Sequence, residues 1–166
     1  MAQAQQLDRL VSRGAALLSI GPDETVRLAA AEMSKHNVGS LLVLDGNGTL
    51  IGIVSERDVL AKVVAKGLNP IAVRVAEIMS RNVVTCQAKS STGNANRLMA
   101  VNKIRHLPIV ADGNPVGMVS ARDLMAHKLD LALHREREHR RRVGDLERTH
   151  PGITRLIFDD VGHAQI

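Results

Sequence analysis

The eleven residues Gly52–Lys62 (GIVSERDVLAK) return as Gly117–His127 (GMVSARDLMAH), with six positions identical and most others exchanging one apolar residue for another. A spacing of about 65 residues is longer than a solenoid repeat and short for an independent domain. The chain is therefore constrained to two copies of one αβ unit packed around a shared core. Whatever it binds, it has two related places to bind it.

The repeat extends well beyond this segment. At a constant offset of 66, Leu17–Ile20 aligns with Val83–Cys86, Thr25 with Ser91, Met33 with Met99, and Val38–Leu44 with Ile104–Val110. One residue is lost where Asp45-Gly46-Asn47-Gly48 faces Asp112-Gly113-Asn114, and the offset becomes 65. Turns are where length changes are tolerated.

Each copy reads as β-α-β-β-α. A short apolar strand (17–20 or 83–86) leads through capping residues, Pro22-Asp23-Glu24-Thr25 in the first copy, into an amphipathic helix carrying Val26, Ala29, Ala30 and Met33. A strand follows (Ser40–Leu44 or Leu107–Val110), then a Gly/Asn/Asp hairpin turn, a second strand (Leu50–Val54 or Val116–Val119) and a second helix. Short pieces with helical spacing, Leu7/Leu10/Val11 and Val75/Ile78/Met79, precede the copies, and Gly67–Arg74 with Pro70 is the natural linker. Gly93, Asn94 and Asn96 are poor helix formers, so packing must carry the first helix of the second copy, or its first turn is irregular. After Asp123 the helical pattern runs long, with Met125, Leu129 and Leu133 at i, i+4 spacing and Glu136/Arg140 and Glu138/Arg142 as ordered pairs. The expected organisation is a first copy at 5–67, a second at 75–133, and a basic helical extension and tail at 134–166. Within that tail, Thr154–Val161 stays open between an extra strand, a dimer contact and a frayed end.

Composition narrows the function classes. The single aromatic, Phe158, means an aliphatic core and no aromatic platform for stacking bases. The lone Cys86 makes no intrachain disulfide and reads as a small buried hydrophobe. No stretch reaches the ~18 apolar residues of a membrane span, and the N-terminus is a poor secretory signal, so a soluble, cytoplasmic protein is expected. The net charge of +5 is concentrated in His134–Arg142, five Arg against two Glu. That is weak evidence for nucleic acid, and a solvated helix end is favoured over the alternative, a module that binds nucleic acid or a protein partner through the 134–142 helix. No Ser/His/acid order, metal-spaced cluster or P-loop is present, and an enzyme is not expected.

The repeated Gly-h-x-Ser-x-x-Asp, with h apolar, places a Ser where a strand ends and an Asp one turn into a helix. Ser55/Asp58 and Ser120/Asp123 fit a capping box, with Asp where Glu or Gln is commoner. The same geometry suits a nucleotide: unpaired helix N–H groups and the Ser hydroxyl for a phosphate, the Asp for a vicinal ribose diol, and Arg57 and Arg122 for phosphate oxygens. Spacing alone puts capping slightly ahead. The Arg matched in both copies is what a capping box does not require.

These two segments, together with Val38-Gly39-Ser40-Leu41-Leu42-Val43 and Ile104-Arg105-His106-Leu107-Pro108-Ile109-Val110, give a chain that resembles a tandem pair of CBS domains, a stand-alone Bateman module, over roughly residues 5–133. The resemblance implies two copies related by pseudo-twofold symmetry, with clefts between them in which many members bind adenine nucleotides. It gives Asp58 and Asp123 to ribose hydroxyls and Ser55 and Ser120 to phosphate. It makes Arg105 and His106, followed by Leu107 and Pro108, candidates at the phosphate. It points to Ser19 with Ile20, and Thr85 with Cys86, at the base. The ligand expected is AMP, ADP or ATP, with NAD or S-adenosylmethionine as further members of the class and no obligatory cofactor. A homodimer and a regulated protein partner are expected. Because Gly39-Ser40 stands where the second copy has Arg105-His106, the two sites should differ.

Overall fold

A computed structural model describes residues 7–11 and 17–149. Thr154–Val161 lies outside the described residues. In chain order the elements are α1 (Asp8–Val11), β1 (Ser19–Ile20), α2 (Val26–His36), β2 (Ser40–Leu44), β3 (Leu50–Ser55), α3 (Glu56–Lys62), a 3₁₀ turn at Val64–Lys66, α4 (Val75–Ile78), β4 (Cys86–Gln87), α5 (Thr92–Asn102), β5 (His106–Ala111), β6 (Asn114–Ser120) and α6 (Ala121–Thr149). Two sheets result, ordered β1-β2-β3 and β4-β5-β6, each with a parallel first pair and an antiparallel hairpin. The fold is thus mixed α+β, with β-α-β-β-α occurring twice.

The first helix of each copy starts on a hydroxyl cap: Thr25 Oγ1 accepts from the Leu28 N–H at 3.2 Å, and Ser91 Oγ from the Asn94 N–H at 3.2 Å. α5 is regular from Thr92 despite Gly93, Asn94 and Asn96, because Ala95 and Met99 are buried on its inner face. The hairpins differ as the lost residue requires. In the second copy Ala111 pairs with Asn114, and Asp112 and Gly113 carry φ of 49° and 81°. That is the two-residue turn with positive φ at both positions. In the first copy the longer loop is tied by Asp45, whose Oδ1 accepts from the Asn47 and Thr49 N–H groups at 2.9 Å each.

Both first strands are shorter than expected, Ser19–Ile20 in place of 17–20 and Cys86–Gln87 in place of 83–86, and the second also starts later. In the first copy the Leu42 N–H donates to the Leu18 carbonyl at 3.1 Å. The equivalent residue is Pro108, which has no N–H, so the bond to Val84 cannot form. Strand pairing begins one residue later instead, at Cys86 against Ile109.

Each sheet buries one face in a core of its own, so the shared core expected of the repeat is replaced by two. Ile20, Leu41, Val43 and Val54 lie in the first, and Cys86, Leu107, Ile109 and Val119 in the second. The short helices are exchanged between copies. α4, with Val75, Ile78 and Met79, completes the first core, whereas Leu7, Leu10 and Val11 pack in the second. The Leu7 N–H donates to the Ser90 carbonyl at 3.0 Å, and Ser80 exchanges backbone bonds with Ile53 at 2.9 and 3.0 Å. Reciprocal exchange is what a pseudo-twofold arrangement produces. It also explains the glycine of the repeated motif. A Cβ on Gly52 would stand 2.6 Å from Met79 Sδ, and one on Gly117 2.7 Å from Val11 Cγ1.

Residues up to Leu124 form one compact unit, and a second begins at Met125. In the second, α6 continues unbroken to Thr149, with Arg135, Arg137 and Arg140–Arg142 exposed. Glu136 pairs with Arg140 at 2.6 Å as expected and Asp145 with Arg148 at 3.0 Å, whereas Glu138 lies 3.8 Å from His134 instead of pairing with Arg142. Solvated pairs of this kind contribute at most about 1 kcal/mol each. Among the described residues no helix is long and apolar enough to cross a membrane.

Candidate functional site

The faces of the two sheets that look away from their cores carry the candidate polar residues. On the first, Ser40 pairs with Ser55, and Leu42 lies between Ser19 and Ile53. On the second, His106 pairs with Ser120, and Pro108 with Met118. Leu42 and Pro108 are fully buried yet belong to neither core, which places them where the copies meet. Ser40, 1% exposed, directs its hydroxyl to Met118 Sδ at 3.4 Å across that junction.

Both Ser-x-x-Asp segments form capping boxes. The Ser55 N–H and Oγ donate to Asp58 Oδ2 at 2.9 and 2.6 Å, and the Asp58 N–H returns to Ser55 Oγ at 3.3 Å. The second copy repeats this, with Ser120 donating to Asp123 Oδ2 at 2.7 Å from both groups and the Asp123 N–H returning at 3.2 Å. In the first copy the other carboxylate oxygen is held as well. Lys62 Nζ lies 2.8 Å from Asp58 Oδ1 and donates to the Ile78 carbonyl at 2.6 Å, tying α3 to the end of α4. The residue in that place in the second copy is His127, so the two carboxylates have different company.

His106 has the most unusual surroundings. The Ala121 N–H donates to the Arg105 carbonyl at 2.9 Å, which makes His106 and Ser120 a non-hydrogen-bonded cross-strand pair. Their Cα atoms are then about 4.5 Å apart with both side chains on one face. The ring also reaches the other copy: Nε2 and Cε1 of His106 and Oε1 of Glu56 all lie 3.2 Å from the point where a Cβ on Gly39 would sit. Burial, and then the Arg105 guanidinium, push the imidazole below its ordinary pKa, against the pull of Glu56 and Asp123. The equivalent position in the first copy is Ser40, which cannot titrate.

The remaining candidates fall into two groups. Ser19 and Thr85 are exposed, while Arg57, Arg122 and Arg105 project into solvent beside the caps. Ile20 and Cys86 turn their side chains into the cores, so only their backbone faces outward. In the first copy, strand geometry puts Ser19 about 12 Å from Ser55, two strands across and two residues along. Sequence reasoning missed Lys62, Glu56 and the Gly39 contact. Lys62 was visible as an i, i+4 partner of Asp58, but the other two depend on how the copies pack.

The CBS-domain profile matches this chain twice, at residues 13–65 and 75–130. The chain belongs to the CBS-domain family. Among CBS-domain relatives, YhcV of Bacillus subtilis is 35% identical over 111 residues, 67% of this chain and 78% of that protein. Protein MK0525 of Methanopyrus kandleri is 38% identical over 105 residues, 63% of this chain and 54% of that protein. The chain thus spans little more than half the length of MK0525, and the match to mitochondrial CBSX3 of Arabidopsis thaliana covers 59% of that relative. Among solved structures, the CBS domain protein PAE2072 of Pyrobaculum aerophilum, complexed with AMP, superposes with a TM-score of 0.68. The two are 27% identical, and the match covers 78% of this chain and 99% of that one.

Proposed function

We propose that this CBS pair is a regulatory module that binds adenine nucleotides of the AMP, ADP or ATP type. The observation that carries the reading is the pair of Ser-x-x-Asp caps, each ending a hairpin on the face where the copies meet. It is supported by the likeness to a CBS protein solved with AMP. In this reading Asp58 and Asp123 accept from ribose hydroxyls, and Ser55 and Ser120 donate to phosphate. Arg57, Arg105 and Arg122 supply charge, and Ser19, Thr85, Pro108 and the backbone of Ile20 and Cys86 line the base. Ser55 Oγ already donates to Asp58 in the free protein, so its turn toward a phosphate releases a lone pair for the ribose. Lys62 must release Asp58 Oδ1 for both carboxylate oxygens of the first site to reach the ribose.

Regulation follows only if the nucleotide favours one packing of the copies over another. A homodimer fits the exposed apolar stripe Leu60, Val64 and Leu68, which are 61%, 60% and 46% exposed, and its repetition at Met125, Leu129 and Leu133. The test is thermal unfolding with AMP, ADP, ATP, NAD and S-adenosylmethionine. A ligand at 100 times its dissociation constant is expected to add about 2.7 kcal/mol. No shift with any of the five rejects the reading. Sedimentation of the same samples is expected to show two chains per particle, and a single-chain mass throughout rejects the dimer.

A further inference from the structure

We infer that His106 couples phosphate binding to proton uptake, so that nucleotide affinity at the second copy depends on pH. This rests on the nucleotide reading above and adds to it a regulation of the same site by protons.

The geometry places one titratable ring among groups that a phosphate would reorganise. His106 stands directly across the hairpin from Ser120, on the same face. A phosphate held by the Ser120 hydroxyl is therefore within reach of the imidazole. The charged groups facing the ring come from each surrounding element: Arg105 on its own strand, Asp123 in the first turn of α6, and Glu56 in the first turn of α3 from the other copy. Gly39 leaves room for the ring to lie against the first copy, since a Cβ there would stand 3.2 Å from Nε2.

In the free protein, burial and Arg105 outweigh the two carboxylates, and the ring is neutral near pH 7. A phosphate carrying nearly two negative charges reverses that balance and favours the imidazolium. By reciprocity, if phosphate binding favours the proton, the proton favours phosphate binding. Affinity therefore rises as pH falls. The first copy has Ser40 in this position and contributes no such dependence. Protonation also strengthens the attraction of the ring for Glu56, so the same event bears on how tightly the copies are joined.

The experiment is calorimetric titration of the full chain with AMP between pH 8 and pH 5.5, beside His106→Gln. The titration of free AMP is common to both proteins and cancels in the ratio of their affinities, which therefore reports the imidazole and its coupling to the bound phosphate. That ratio is expected to rise on acidification by about tenfold for each pK unit that the phosphate adds to the ring. If His106→Gln does not fold, His106→Asn takes its place. The Cε1–H resonance of His106 in the wild-type chain gives a second readout, and its titration midpoint is expected to move up when AMP saturates the protein. A constant affinity ratio, or an unmoved midpoint with AMP bound, overturns the coupling and leaves nucleotide binding standing. Absence of AMP binding at every pH overturns both.

Discussion

Leu7→Ala is expected to lower the unfolding free energy by about 2–5 kcal/mol, as large as any core truncation. Leu7 is fully buried in the core of the second copy, with its N–H on the Ser90 carbonyl. The cavity would open in the core that also holds Leu107, Ile109 and Met99, which has no aromatic side chain among its described members to collapse into it. Urea unfolding monitored by far-UV circular dichroism measures the loss. Val101→Ala, at an exposed apolar position outside the proposed dimer surface, is the control and should stay within about 0.5 kcal/mol. An equally small change for Leu7→Ala would mean that α1 does not complete the second core, and the exchange of short helices would have to be abandoned.

The second large effect concerns the two carboxylates. Asp58→Asn and Asp123→Asn keep a side chain that can accept one backbone bond, so each should cost about 1 kcal/mol of stability or less. For the nucleotide the change is greater, because each removes a charged acceptor from the ribose. Hydrogen bonds to charged groups contribute about 1.5–3 kcal/mol, or roughly tenfold to a hundredfold in affinity at each site. The double variant is expected to bind AMP too weakly to titrate while remaining folded. If the segments serve only as caps, the opposite split appears: a small loss of stability and no change in affinity. Asp123→Asn should act more strongly than Asp58→Asn, since only the second copy carries Arg105 and His106, where the first has Gly39 and Ser40.

Much of the fold was legible because its signals are local. Alternation, a Gly/Asn/Asp turn and a hydroxyl cap define each hairpin and helix start within a few residues, and β2 falls where the sequence placed it, at Ser40–Leu44. Both capping boxes were readable for the same reason. The late start of β4 was present in the sequence as Pro108, but its meaning required knowing which neighbour the missing N–H should have met. The exchange of α1 and α4 was not legible at all. Periodicity shows that Leu7, Leu10 and Val11 have an apolar face, not which sheet that face covers. Gly52 and Gly117 stood in the repeated motif without a reason until the exchanged helices supplied one. The junction of His106 with Gly39 and Glu56 likewise arises from packing between copies, which no local pattern records.

The central claim is that the two hairpin-end caps form adenine-nucleotide sites, and equilibrium titration of the full chain with AMP tests it most directly. Saturable binding of no more than two nucleotides per chain is expected, with the sites unequal and the stronger one lost in Asp123→Asn. A folded chain that binds no AMP at millimolar concentration, or binding that the Asp58→Asn, Asp123→Asn double variant leaves unchanged, would contradict it.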